Sequence, residues 1–233
     1  MRENMGIKAV IDTGTMITMS GTCLMNVFKS FVKANKIELM ISSTIAQESV
    51  WNPINNKKFA LNAARIKYAI DQQIVKSIPK NSQINFEMEK ILRIANNIFF
   101  TQNGPISIIQ SGEAEALALA KIYSAKAMFI DERTTRSLIE NPQRLKQVLE
   151  RRQDEPVRIN QDNLNAIRNI FLDLKMFRSV DIIALAYEQD LFNSELAHGK
   201  LELEAALYSA KFNGCAVSER EISEYVRNVK DRK

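Results

Sequence analysis

The chain is poor in the residues on which much enzyme chemistry rests. It holds one histidine, His198, in the turn-like stretch LAHGK. One imidazole excludes paired-histidine cleavage of phosphodiesters and a histidine-rich metal cage. A Ser-His-Asp or Cys-His triad would have to be built on His198, and no GxSxG elbow accompanies it. Two cysteines, Cys23 and Cys215, stand far apart. Two thiols do not complete a zinc site, and the plainest expectation for both is a small buried apolar side chain. No apolar run approaches the roughly 20 residues of a membrane-spanning helix. The N-terminal MRENMGIKAVID lacks the apolar stretch of a signal peptide. A cytoplasmic protein without a membrane partner is expected, and any hydrolytic chemistry falls to carboxylates.

The chain has 233 residues, 45% of them hydrophobic, enough for one large domain or two small ones with a sizeable core. Its net charge of +5 is unevenly spread. Residues 1–135 carry 16 Lys and Arg against 11 Asp and Glu, whereas residues 136–233 carry 16 of each. A basic surface around an acidic centre attracts a polyanion, although simple solubility accounts for an excess of this size equally well.

KAVID reads as a short strand closing on Asp12, TGT as a turn, and LMNVFKSFVKA as a helix with Leu24, Val27, Phe28, Phe31 and Val32 at helical spacing. IELMIS, 37–42, is a continuous apolar run of strand length, which fits a parallel sheet covered on both faces. In STIAQESVW, Thr44 and Gln47 have capping-box spacing, predicting a helix from Ile45 with Glu48 near its start. Residues 57–103 read as two long helices broken near 78–81, and GPISIIQ as a brief extended piece. SGEAEALALAKIYS predicts a helix over about 112–124 capped by Ser111, and AMFID a strand closing on Asp131. After Arg136 only helices are expected, over 142–152, 161–176, 180–192, 200–213 and 218–230. The last is boxed by Ser218 and Glu221, and Asp181 stands as a cap or first-turn acid.

This alternation predicts an α/β fold with a central parallel sheet over residues 1–139 and an all-helical extension over 140–233. In such sheets ligands bind at the strand C-termini. Asp12 and Asp131 end strands, and Glu48 and Glu113 open helices beside the same edge, so four carboxylates are expected on one rim. Gathered acids repel, and a hard cation relieves the repulsion. Mg²⁺ or Mn²⁺ held by carboxylates activates water and stabilises a leaving phosphate oxygen. Each acid alone has an ordinary alternative, as a helix cap, a solvated first-turn acid or part of a surface ion cluster. Trp51 is expected in the core rather than as a platform for a base. Lys57, Lys58, Arg151 and Arg152 are expected to be solvated.

AVIDTGT around Asp12, ISSTIAQES around Glu48, and GEAEALALAKIYSAKAMFID from Glu113 to Asp131 together resemble the PIN-domain nucleases. They are closest to the branch in which GEAEA replaces DA-x-x-A-A. The resemblance covers about residues 6–136. It implies a three-layer sandwich and a metal-dependent endoribonuclease with Asp12, Glu48, Glu113 and Asp131 as Mg²⁺ or Mn²⁺ ligands. Thr13 would be an auxiliary hydroxyl, and RNA the substrate. VapC-type toxins belong to the family, so a homodimer and an antitoxin-like protein partner are further expectations. The long middle region and the extension depart from the compact toxin pattern. Register with the family's third motif favours Glu113 over Glu115 as ligand, leaving Glu115 auxiliary. Residues two apart lie about 200° apart on a helix, and Glu115 falls on the more apolar side. The alternative is a PIN-like module that no longer cleaves and serves in RNA binding or assembly.

Overall fold

The computed structural model describes residues 6–197 and 199–229. His198 lies outside the described residues. The chain opens with β1 (Ile7–Ile11), α1 (Thr13–Gly21), α2 (Met25–Ala34) and β2 (Ile37–Ser42). A short α3 (Ser43–Ala46) widens into a π-helical turn, Gln47–Trp51, before α4 (Ala60–Asp71) and β3 (Lys76–Ile78). Next come α5 (Ser82–Ala95), β4 (Phe99–Thr101), β5 (Gly104–Pro105), α6 (Ser111–Ile122) and β6 (Ala127–Phe129). The C-terminal part holds α7 (Arg133–Glu140), α8 (Pro142–Gln153), β7 (Arg158–Ile159), α9 (Gln161–Ile170), β8 (Lys175–Phe177), α10 (Ser179–Glu188), α11 (Lys200–Phe212) and α12 (Glu219–Asn228).

Five strands form one parallel sheet in the order β3-β2-β1-β6-β8. In β1 Ala9, Val10 and Ile11 are buried in succession, and in β2 so are Leu39, Met40, Ile41 and Ser42. Consecutive burial means that both faces are covered. Two helical groups supply the cover: α1, α2, α10 and α11 pack together, and α5, α6 and α9 form the other set. The mixed α/β class and the parallel sheet agree with the sequence pattern. β4, β5 and β7 make a small separate antiparallel sheet.

Local chemistry explains most element starts. Asp12, Ser42, Asn81, Asn160 and Ser218 each accept a backbone N–H from the first turn of the helix they precede. TGT, expected as a turn, is instead the first turn of α1, because Asp12 caps it. Ser42, not Thr44, opens the next helix. Between the two middle helices the chain makes β3 on the sheet edge, a strand too short for its pattern to show. The C-terminal part is mostly helical but not wholly so. The segment expected as a helix to residue 176 stops at Ile170, and its remainder forms β8 against β6. Phe129 of β6 makes edge-to-face contacts with Phe28 of α2 and Phe177 of β8, with ring centroids 6.4 and 6.1 Å apart. The core is thereby continuous from the first helices into the C-terminal part.

Both cysteines are free thiols, and only Cys215 is buried. Among the described residues no helix is long and apolar enough to cross a membrane.

Removing β8 strips an edge from β6 and uncovers Phe129. A fragment of residues 1–139 is therefore expected to lose its cooperative thermal transition by circular dichroism. A fragment that melts as sharply as the full chain contradicts this account.

Candidate functional site

Strand order turns about β1: β2 and β3 lie on one side, β6 and β8 on the other. The crevice of a doubly wound sheet opens at such a point, outside the strand C-termini. Asp12 and Asp131 stand there, at the ends of neighbouring parallel strands, and the Asp12 N–H bonds the Phe129 carbonyl at 3.0 Å.

Asp12 is buried, and its Oδ1 accepts the Thr15 N–H at 2.7 Å. Burial pushes its carboxyl up to about 7; the Thr15 hydrogen bonds oppose the shift, and the charges of Asp131 and Glu113 add to it. Asp131 is buried as well, and both its oxygens are taken. Oδ1 accepts the Ser179 N–H and Oδ2 the Ser179 hydroxyl, each at 2.7 Å. Glu113 folds back to accept the N–H of Gln110, its own helix cap. Burial raises the Glu113 carboxyl, the Gln110 N–H works against that, and Glu132 adds to it. Glu48 is exposed on the π-helical turn, with Oε2 3.5 Å from the Thr13 hydroxyl. A Cβ placed on Gly112 would stand 3.9 Å from that same oxygen, so Glu48 lies between the starts of α1 and α6. Glu115 points elsewhere. It is buried with Oε2 3.3 Å from Lys80 Nζ, and its Oε1 has no hydrogen-bond partner.

The rim therefore forms, but the metal centre does not. Among the described residues no group of three or more His, Cys, Asp or Glu side chains is placed to hold a metal ion. This corrects the four-carboxylate Mg²⁺ or Mn²⁺ site expected of Asp12, Glu48, Glu113 and Asp131. It equally corrects the metal-dependent endoribonuclease and hydrolase built on that site. The physical reason is that the acids are committed to other work. Asp12 and Glu113 cap helices, Asp131 clamps Ser179, and Glu48 stays in solvent. A hard cation needs several oxygens turned to one point.

Comparison with known proteins does not supply the missing centre. No family model matches the chain, and no curated protein or solved structure matches it.

Two features escaped the sequence pattern. The first is a set of exposed aromatic rings, two of them with a lysine alongside. Trp51, expected in the core, is 46% exposed, and Phe59 and Tyr68 are 45% and 57% exposed. Ile45, Ala46, Ser49 and Val50 form the buried stripe, and Trp51, one residue past it, lies outside. Lys67 Nζ lies 5.7 Å from the Trp51 ring centroid, and Lys58 Nζ 5.3 Å from that of Phe59. The stretch WNPINNKKF carried a signal in its two rings and adjacent lysine pair. The second feature is Ser179, whose pairing with Asp131 spans 48 residues and leaves no sequence mark.

Asp12 gives a pH test. Its folded carboxyl titrates near 7 against an ordinary 3.8, so the native state holds the proton more tightly than the unfolded chain. That contribution is complete below about pH 4 and is lost as pH rises through about 7. Asp12→Asn keeps the cap and abolishes the loss. The variant is expected to melt higher than the parent at about pH 8, by on the order of a few kcal/mol, and nearly together with it at about pH 4. An offset independent of pH would contradict the assignment.

Proposed function

We propose that the chain is a PIN-like α/β module that binds single-stranded RNA and does not cut it through a metal site. The observation that carries this reading is a pair of exposed ring–lysine contacts, Trp51 with Lys67 at 5.7 Å and Phe59 with Lys58 at 5.3 Å. The π-helical turn and α4, which pack on each other, present it beside the sheet edge where Glu48 stands. Exposed rings accept stacked bases of any sequence, each worth about 1–3 kcal/mol, while lysines follow the phosphates. The positive excess of residues 1–135 favours the same partner. The order of AVIDTGT, ISSTIAQES and GEAEALALA and the all-parallel sheet support a PIN-like ancestry, with the acids retained as structural groups.

Trp51→Ala is expected to weaken binding of a short single-stranded RNA about tenfold in fluorescence anisotropy. The RNA is expected to stay intact in Mn²⁺. Cleavage that EDTA stops, or a Trp51→Ala variant binding as tightly as the parent, defeats this reading.

A separate observation favours assembly as a second role. On α11 Leu201, Ala205, Tyr208 and Phe212 recur at spacings of four, three and four, and Leu201 and Phe212 are 74% and 78% exposed. Leu201, Ala205 and Phe212 make an exposed apolar stripe at coiled-coil spacing, with Tyr208 half-buried against the core beside them. An antiparallel second copy places Leu201 against Phe212 and Glu204 beside Lys211, a cation that also pairs with exposed Glu219 in its own chain. Three turns of helix make a small interface, so the pair is expected to be weak. Sedimentation equilibrium should show a concentration-dependent dimer that Phe212→Glu abolishes. A parent that stays monomeric at high concentration removes this second role.

A further inference from the structure

A cleft of about 590 Å³ lies between α7, α8 and the start of α12. A second hollow of about 540 Å³ adjoins it, and the two share Arg136, Glu140 and Glu221. The sequence ERTTRSLIENPQR builds the first. Arg133 and Arg136 stand one helical turn apart on α7. Asn141 then caps α8 with Pro142 at its first position, and the sharp elbow brings Arg144 to the same cleft.

Arg136 is the unusual member. Its side chain is only 16% exposed, yet its guanidinium makes no hydrogen bond to any described residue. The closest carboxylate is that of Glu140, 3.7 Å away, and Glu140 is itself 48% exposed. Burial raises the Glu140 carboxyl in spite of Arg136, which makes it a reluctant counter-ion. Arg178, nearby and similarly deep, shows what the fold does with a buried guanidinium of its own. It donates to Asp181, Glu221, the Tyr225 hydroxyl and the Ala216 carbonyl. Arg133 and Arg144 have no ion-pair partner among the described residues. Glu221 cannot serve them, because Arg178 holds it at 2.8 Å and Ser218 donates to its other oxygen. Five N–H donors on a largely desolvated planar cation call for an anion that accepts two at once.

We propose that this cleft is a phosphate-binding site, in which Arg136 grips a phosphate monoester from the floor and Arg133 and Arg144 close on it from the mouth. A phosphate fits better than a carboxylate, since it offers oxygens to more than one guanidinium fork. Ala216 and Val217 are the apolar lining, too little to hold a large hydrophobic body, so the ligand binds by its charged end. Two sources carry that group: the 5′ end of an RNA chain and a free nucleotide. Only the RNA source rests on the proposed RNA-binding role.

Calorimetry with AMP, with adenosine, and with one short RNA bearing either a 5′-phosphate or a 5′-hydroxyl tests the site. If the free nucleotide is the source, AMP binds and adenosine does not. If an RNA end is the source, the 5′-phosphate strengthens RNA binding at least fivefold. In either case Arg136→Gln removes the phosphate-dependent gain and leaves binding of the 5′-hydroxyl RNA unchanged. Arg144→Gln, on the exposed mouth, reduces the gain about tenfold or to the 5′-hydroxyl level, and it keeps the test valid should the buried substitution disturb folding. If neither RNA binds but AMP does, the RNA-binding role fails while this site stands. If AMP and adenosine are alike and the two RNAs bind equally, the site is overturned. The site is equally overturned if both arginine variants keep the full phosphate-dependent gain.

Discussion

A buried carboxylate must find donors or lose its charge, and in this protein Asp131 finds both in one residue. Ser179 gives it a backbone N–H and a hydroxyl, each at 2.7 Å, across a gap of 48 positions in the chain. The pair joins the end of β6 to the start of α10. It lies directly beyond the β6–β8 pairing and beside the contact of Phe129 with Phe177. Hydrogen bonds to a charged group in a dry setting are worth about 1.5–3 kcal/mol each, and losing the donors would leave an uncompensated buried charge. The same two bonds occupy both Asp131 oxygens. One interaction thus anchors the C-terminal part and takes an acid out of any shared cation site.

The rest of the rim follows the same logic. The charges of Asp131 and Glu113 oppose ionisation of Asp12, that of Glu132 opposes ionisation of Glu113, and burial opposes both. Neither is relieved by a cation; each is relieved by backbone N–H groups at a helix start. A cap is a local solution to a local orphan donor, and it directs the carboxylate along its own helix rather than toward a common point. Elsewhere on the surface, lysines stand over the exposed rings of Trp51 and Phe59, and three arginines line the cleft beside α7.

Much of the fold was legible in residue pattern. IELMIS is buried along its last four residues because both faces of a central parallel strand are covered. The Ser218 and Glu221 box opens α12 as its spacing predicts, and Asp181 boxes α10 from its first turn. The short edge strands β3 and β8 were not legible. Three residues give no periodicity, and pairing with a neighbour decides whether they are strand or coil. Trp51 shows a different failure: its type suggested core, but its place just past the buried stripe of Ile45, Ala46, Ser49 and Val50 left it exposed. For the site, the convergence of Asp12, Glu48, Glu113 and Asp131 on one rim was readable, because strand ends in a parallel sheet share an edge. The direction of each carboxylate was not.

By itself the sequence determined the capping box of the last helix, the buried runs of β1 and β2, the parallel architecture, and the crowding of acids at one sheet edge. These depend on neighbours within a few residues and on the simple periods of helix and strand. Only the tertiary structure decided that Ser179 would occupy Asp131, that Lys80 would draw Glu115 aside, and that Arg136 would sit deep without a hydrogen-bond partner. Those outcomes depend on which side chains meet across tens of residues. Buried charge makes each meeting energetically large, and no local pattern records it.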